Sequence, residues 1–293
     1  MANQRILLGD FELGDNPIPY FIAEIGINHN GDMQIAKKLM DAAFCTNWNC
    51  VKFQKRTPEI AVPEAQRNVP RETPWGNMTY LEYKKRIEFE KEEYDYIDSY
   101  CREKPLAWTA SPWDEPSLDF LMQYDLPFIK VASAGNGNEE LLKAVCRTGK
   151  PIIMSDGMSS QEELDKAVSL LEDHSNGDYV LLHTNSAYPS EVQNLNLSYI
   201  NTLRERYHCI VGYSGHEQNL EPTVVAATLG AKVIERHVTL SHELWGTDQK
   251  ASLEINAMYM LYRRCVDIHR MMGDGEKHMD EAEKKVREKL KGY

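Results

Sequence analysis

Short apolar runs rich in β-branched and aromatic residues recur along the chain. Most are followed by the three-to-four-residue apolar spacing of an amphipathic helix. Eight runs read as strands: YFIAEI (20–25), CVKFQ (50–54), LAWTA (106–110), FIKVAS (128–133), PIIMS (151–155), YVLLHT (179–184), CIVGYS (209–214) and KVIERH (232–237). Helical patterns cover 33–44, 90–103, 115–124, 138–147, 161–174 and 221–230, with Asp114 and Ser159 as expected N-caps and Pro222 suited to a first turn. Strands that alternate with helices predict an α/β fold with a parallel sheet, and eight of them close a (β/α)8 TIM barrel, which usually takes roughly 250 residues. The alternative, an open doubly wound sheet, asks for GxGxxG after the first strand, where this chain has GINHNG.

The pattern also predicts three additions to the barrel of residues 20–252. Residues 1–19 contain a hairpin placed to plug the barrel bottom, and 253–293 read as two C-terminal helices. Residues 57–80 are a Pro-rich irregular connection, too long to be idle. No linker or repeat divides the chain, so a single domain is expected.

Composition narrows the partners. The 293 residues carry a formal net charge of −12, which argues against nucleic acid or an anionic membrane. An anionic small substrate stays open, because a local lysine cluster overrides the global sign. No apolar run is long enough to span a bilayer, and the first twenty residues lack a signal peptide's apolar core. Six cysteines with no CxxC spacing read as reduced thiols, so the expected location is cytoplasmic.

The chemistry concentrates at strand ends. In a barrel the active site gathers at the C-terminal ends of the strands. Those ends carry Glu24, Lys52 and Gln54, Thr109, Lys130 and Ser133, Ser155, His183 and Asn185, Ser214 and His216, and Glu235 and His237. Alternation along KVIERHVT puts Glu235 and His237 on one face and Arg236 on the other. Two lysines inside apolar strands suit a bound anion of high charge, with Thr109, Ser133, Ser155 and Ser214 as a phosphate cradle. His183 reads as a hydrogen-bonded core histidine. His216 and His237, with Glu235 and Asp248 nearby in sequence, suit a divalent ion such as Mn, Fe, Co or Zn.

The stretches FIAEIGINHNGD, VKFQ, PWGNMTYLEYKKRIEF, FIKVAS, PIIMSDGM, VGYSGHE, IERHVTL and GTDQKASLE resemble the sialic acid synthase family, in order from about Phe21 to about Glu254. The resemblance implies condensation of phosphoenolpyruvate with an N-acylated hexosamine aldose such as N-acetylmannosamine, giving a nine-carbon 2-keto acid. It implies His216 and His237 as metal ligands, with Mn foremost and Mg or Co as alternatives. It implies Glu24, Glu235 and Asp248 as catalytic-site carboxylates and Lys52 and Lys130 as phosphoenolpyruvate ligands. Thr109, Ser133, Ser155 and Ser214 match hydroxyls around the phosphate, Gln54 and Tyr188 face the sugar, and Asn185 and Ser186 belong to the same substrate-binding loop.

Many members carry a C-terminal antifreeze-like domain that supplies an arginine to the sugar and exchanges between protomers. The sequence ends at Tyr293, so the expectation is the catalytic barrel without it, as a possible homo-oligomer. Asp156, Gly135 and Gln249 depart from the family pattern at positions expected on the sugar side. Rival readings are a 3-deoxy-octulosonate 8-phosphate-type synthase, with Arg56, Arg67 and Arg71 as a second anion site, a metal-dependent sugar isomerase, and a non-catalytic sugar-binding barrel.

Overall fold

The computed structural model describes residues 5–291; the outermost residues of the expected hairpin segment and of the C-terminal tail lie outside the described residues. Among the described residues twelve strands form. In chain order they are β1 (Leu7–Leu8), β2 (Phe11–Glu12), β3 (Tyr20–Gly26), β4 (Cys50–Lys55), β5 (Pro70–Thr73), β6 (Gly76–Thr79), β7 (Ala107–Pro112), β8 (Ile129–Val131), β9 (Ile152–Ser155), β10 (Tyr179–Thr184), β11 (Ile210–Gly215) and β12 (Val233–His237). β1 and β2 form the N-terminal hairpin, and β5 and β6 a second one. The other eight form one parallel sheet in the order β7-β4-β3-β12-β11-β10-β9-β8. This is the predicted barrel. Its two end strands, β7 and β8, meet at a seam where the Thr109 hydroxyl donates to the Phe128 carbonyl at 2.8 Å.

Alternation along the strands separates two cores. Outward residues such as Phe21, Val51, Trp108, Leu181, Val211 and Ile234 pack under the surrounding helices in one large cluster. Inward residues at the bottom (Tyr20, Ile22, Cys50, Phe128, Ile153, Val180, Leu182, Ile210 and Val233) join Ile6, Leu8 and Leu13 of the hairpin segment in a second cluster. The hairpin therefore caps the barrel bottom with apolar side chains. One step further along the strands the interior turns polar, so the open end alone bears the chemistry.

The connection 57–80 corrects its expectation of irregularity. It folds into short helices Pro58–Ala61 and Glu64–Arg67 and the β5–β6 hairpin, then enters a helix, Tyr80–Ile87, capped by a Thr79–Glu82 capping box. Tyr83 and Ile87 of that helix pack on Ile27, with Met78, Tyr80 and Trp245, which ties the connection to the barrel rim. Asp114 caps its helix as expected, but Ser160 rather than Ser159 caps helix Gln161–His174. The Ser159 hydroxyl instead accepts from Asn136. The C-terminal helices are Ile255–Met272 and Glu281–Lys291. Among the described residues no helix is long and apolar enough to cross a membrane, and all six cysteines are free.

Candidate active site

A cavity of about 180 Å³ opens at the C-terminal ends of the strands. Parallel pairing sets its floor: Glu24 lies level with Lys52 and with His237, and Ser214 with Glu235. These charges interlock. Lys52 Nζ lies 2.7 Å from Glu24 Oε2 and 3.8 Å from Glu235 Oε2, while Lys130 Nζ lies 3.8 Å from Glu235 Oε1. Hydroxyls complete the shell. Lys52 donates to Ser111 at 3.2 Å, Lys130 to Ser155 at 2.7 Å, and Ser214 to Glu235 Oε1 at 3.0 Å. Gln54 donates to Glu24 Oε1 at 2.8 Å and accepts from Arg56, which is itself paired with the buried side chain of Glu88.

Burial and pairing pull on these groups in opposite directions. Burial raises the Glu24 carboxyl above its usual range despite Lys52. Glu235 feels the same burial, but Lys130 and Lys52 outweigh it and hold its carboxyl low. Burial lowers Lys130 to about 8. Lys52 stays high, because Glu235 and Glu24 overcome the cost of burying it.

His216 and His237 stand at the ends of adjacent strands with ring centroids 5.4 Å apart, and Tyr188 covers both. The His216 Nδ1–H donates to the Asn185 carbonyl at 2.7 Å, which leaves its Nε2 lone pair free. Burial, then the neighbouring His237, push His216 down to about 3; burial lowers His237 as well. Both imidazoles are therefore neutral, the state that ligates metal. The buried His237 Nδ1 and Glu235 Oε2 have no hydrogen-bond partner. Two neutral imidazoles beside an unsatisfied carboxylate oxygen fit a divalent ion whose remaining positions go to water or substrate. Among the described residues no group of three His, Cys, Asp or Glu is arranged to hold one unaided.

Two glycines make room. Gly26 adopts φ +54°, and a Cβ there would sit 3.1–3.2 Å from Glu24, Gln54 and His237. At Gly157 a Cβ would come within 2.4 Å of the Ser186 hydroxyl and 2.7 Å of the Ser133 hydroxyl, so the glycine keeps that cradle open.

Most of the expected site residues converge: Glu24, Lys52, Gln54, Lys130, Ser133, Ser155, Ser186, Tyr188, Ser214, His216, Glu235 and His237 line the cavity. Three expected members do not. Thr109 is fully buried level with Lys52 and spends its hydroxyl across the seam. The Asn185 side chain bonds the Asn194 carbonyl, so only its backbone serves, through His216. Asp248 stands beside His237, with 3.9 Å between Oδ2 and Nδ1, and does not line the cavity. The structure adds Ser111, Trp113, Met158 and Thr184 to the lining. Ser111 was findable: it follows Thr109 by two, but the predicted strand stopped at Ala110.

The departures expected on the sugar side lie elsewhere. Asp156 accepts from the Thr184 amide at 2.7 Å and pairs with His183 at 3.2 Å outside the cavity, which also satisfies His183 as a core histidine. Gln249 is buried between Thr239 and the Asn28 carbonyl, and a Cβ on Gly135 would face Val131.

Behind β12, Arg236 points outward as alternation requires and is fully buried. It binds Glu217 Oε1 at 2.9 Å and the Thr223 hydroxyl at 2.8 Å. Glu217 follows His216 directly, so this pair anchors the metal-side loop. Glu217→Ala leaves a buried guanidinium unpaired, and urea unfolding is expected to show a loss of about 3–5 kcal/mol. A loss under ~1 kcal/mol would refute the anchor.

The sequence profile of the NeuB family matches residues 39–277. The chain belongs to the NeuB family. Among curated NeuB-type relatives, the N-acetylneuraminate-9-phosphate synthase of Drosophila melanogaster is 37% identical over 80% of this chain and 64% of its own length. This chain thus spans just under two thirds of that relative. The N,N'-diacetyllegionaminic acid synthase of Campylobacter jejuni is 32% identical, covering 90% of this chain and 80% of the relative. Among solved structures, the N-acetylneuraminic acid synthetase of Leptospira borgpetersenii, in complex with citrate, superposes with a TM-score of 0.86 at 30% identity over 99% of both chains.

Proposed function

We propose that this cavity condenses phosphoenolpyruvate with the open-chain aldehyde of an N-acylated hexosamine, giving a 2-keto-3-deoxy nonulosonic acid and inorganic phosphate. The observation that carries this reading is the interlocked set of Lys52, Lys130, Glu24 and Glu235 at the barrel mouth, ringed by Ser111, Ser133, Ser155 and Ser186. The names of the relatives, synthases of acids of this type, point the same way.

Lys52 and Lys130 hold the carboxylate and phosphate of phosphoenolpyruvate, which fixes its C3 near the aldehyde. The electron pair of the C2=C3 bond forms the new bond to the aldehyde carbon, whose C=O π pair moves onto its oxygen, and that oxygen takes up a proton to become the hydroxyl of the product. Positive charge then develops at C2, where the Glu24 carboxylate stabilises it. Water adds at C2 and gives its proton to Glu24, the carboxylate that lines the cavity where Asp248 does not. The C2 hydroxyl then gives up its proton as its O–H pair forms the ketone, the C2–O bond to phosphate breaks, and phosphate leaves with that bond's electron pair and takes the proton. Gln54 and Tyr188 orient the sugar. A divalent ion on His216 and His237, Mn²⁺ foremost with Mg²⁺ or Co²⁺ as alternatives, supplies polarisation of the aldehyde oxygen when bound.

Charge balance supports the need for that ion. Two ammonium groups and two carboxylates sum to zero, so a phosphoenolpyruvate trianion enters with no net countercharge unless a cation accompanies it. The test is phosphate release from phosphoenolpyruvate across a panel of aldoses with Mn²⁺, or with chelator. Release that requires both metal and one sugar supports the reading; release by sugar alone, or none with any sugar, overturns it.

Lys130 sets a pH dependence. Below pH 8 the ligand meets a preformed ammonium; above it, binding must draw a proton from solvent. Phosphoenolpyruvate affinity is therefore expected to fall as pH rises past 8, by up to about tenfold per unit. Calorimetry in buffers of different ionisation enthalpy should show proton uptake at pH 9 and none from this group at pH 6.5. Flat affinity from pH 7 to 9 would refute it.

A further inference from the structure

The cations of residues 56–86 divide into satisfied and unsatisfied. Arg56 is held by Glu88 and Gln54, and Arg67 by the Glu59 and Val62 carbonyls. Arg86, also without an ion pair, is exposed over Trp75, whereas the part-buried Arg71 and Lys84, among the described residues, make neither a side-chain ion pair nor a side-chain hydrogen bond. Both rest only against aromatic rings. The Arg71 guanidinium carbon lies 4.8 Å from the Tyr83 ring centre and 5.8 Å from that of Trp245, and Lys84 Nζ lies 5.3–5.4 Å from Tyr80 and Tyr83. Between them Tyr83 is 1% exposed, and its hydroxyl is buried with no partner. Crowding is felt on Lys84: burial, then Arg56, with Arg71 adding to it, hold it down to about 7. Tyr83 packs on Ile27, one residue past the end of β3, and against Trp245, ring centroids 5.2 Å apart, so the cluster sits on the barrel rim beside the strand that carries Glu24.

We infer that Arg71, Lys84 and the Tyr83 hydroxyl form a second anion subsite that takes a phosphate on the distal carbon of the acceptor aldose. The aromatic faces occupy none of the N–H donors of Arg71 and Lys84, and an arriving dianion favours the charged form of Lys84. Arg71 sits on β5 and Lys84 on the helix after β6, so the connection that looked irregular in sequence becomes the specificity element. The inference rests on the proposed condensation, and family membership does not decide it, because the relatives' names include both a 9-phosphate and a diacetyl acid.

The test compares N-acetylmannosamine with its 6-phosphate as probes, by calorimetry on the full chain with phosphoenolpyruvate and Mn²⁺, followed by kcat/KM for each. At least tenfold tighter binding of the phosphorylated probe is expected. That preference should shrink at least tenfold in both Lys84→Met and Arg71→Gln, and return in Lys84→Arg. Equal binding of the two probes, or a preference that both variants keep, overturns the inference. So does inorganic phosphate that competes as well as the sugar phosphate, which would mark a product-phosphate site. If binding follows the expected pattern while no phosphate is released, the condensation reading fails and the subsite stands.

Discussion

Lys52→Met is expected to lower kcat/KM for phosphoenolpyruvate by on the order of 10²-fold or more. Lys52 is the hub of the cavity, bound to Glu24 at 2.7 Å and within 3.8 Å of Glu235. Methionine fills much of the same volume but removes the charge that lets two carboxylates share a dry site. Those acids then hold their protons to higher pH. A carboxyl whose folded pKa lies above its unfolded value favours folding at low pH, and this contribution is lost as pH rises through the folded pKa. The variant should therefore melt higher at pH 5 than at pH 8, with a steeper difference than the parent. Phosphoenolpyruvate should no longer raise its melting temperature. Activity within tenfold of the parent would remove Lys52 from the mechanism.

His216→Ala should cost as much, by a different route. The Asn185 carbonyl holds the His216 imidazole in the tautomer that presents Nε2, and the pair with His237 is lost when either ring goes. The expected result is a drop in kcat/KM on the order of 10²-fold or more, with loss of the Mn²⁺ dependence of phosphoenolpyruvate binding. Paramagnetic relaxation of water by bound Mn²⁺ gives a readout apart from turnover. A His216→Ala protein that keeps full activity at saturating metal would sink the ligand assignment.

Much of this site was legible because a barrel converts strand periodicity into geometry. YVLLHT and QEELDKAVSLLEDH fold over their predicted spans, and the other barrel strands match within a few residues. Residues two apart, such as Lys52 and Gln54 or Glu235 and His237, had to share the interior face. What failed depended on distance in space. Thr109 has the right face and is level with Lys52, but its hydroxyl is drawn to the Phe128 carbonyl across the seam, a partner nothing in LAWTA shows. Asp248 is near His237 in sequence and in space, yet its carboxylate accepts from the Thr247 hydroxyl and does not line the cavity. Helix Tyr199–Tyr207 escaped notice because its apolar spacing is weak. The Arg71 and Lys84 cluster was only half visible: Arg71 stood among three candidate arginines, and the aromatic packing that leaves it unpaired is a tertiary fact.

The seam between β7 and β8 bears on more than closure. Seven backbone ladders run round the ring; among the described residues the eighth junction has no such ladder, and the Thr109 hydroxyl bonds across it. Lys52, with its partner Ser111, stands on one side of that gap, and Lys130, with Ser155, on the other. A ligand gripped by both lysines therefore acts as a staple across the one place where the ring can breathe. Binding at the mouth would then be felt as rigidity of the frame, with the amides of Ile129 and Val131 slowed in hydrogen exchange when phosphoenolpyruvate occupies the site.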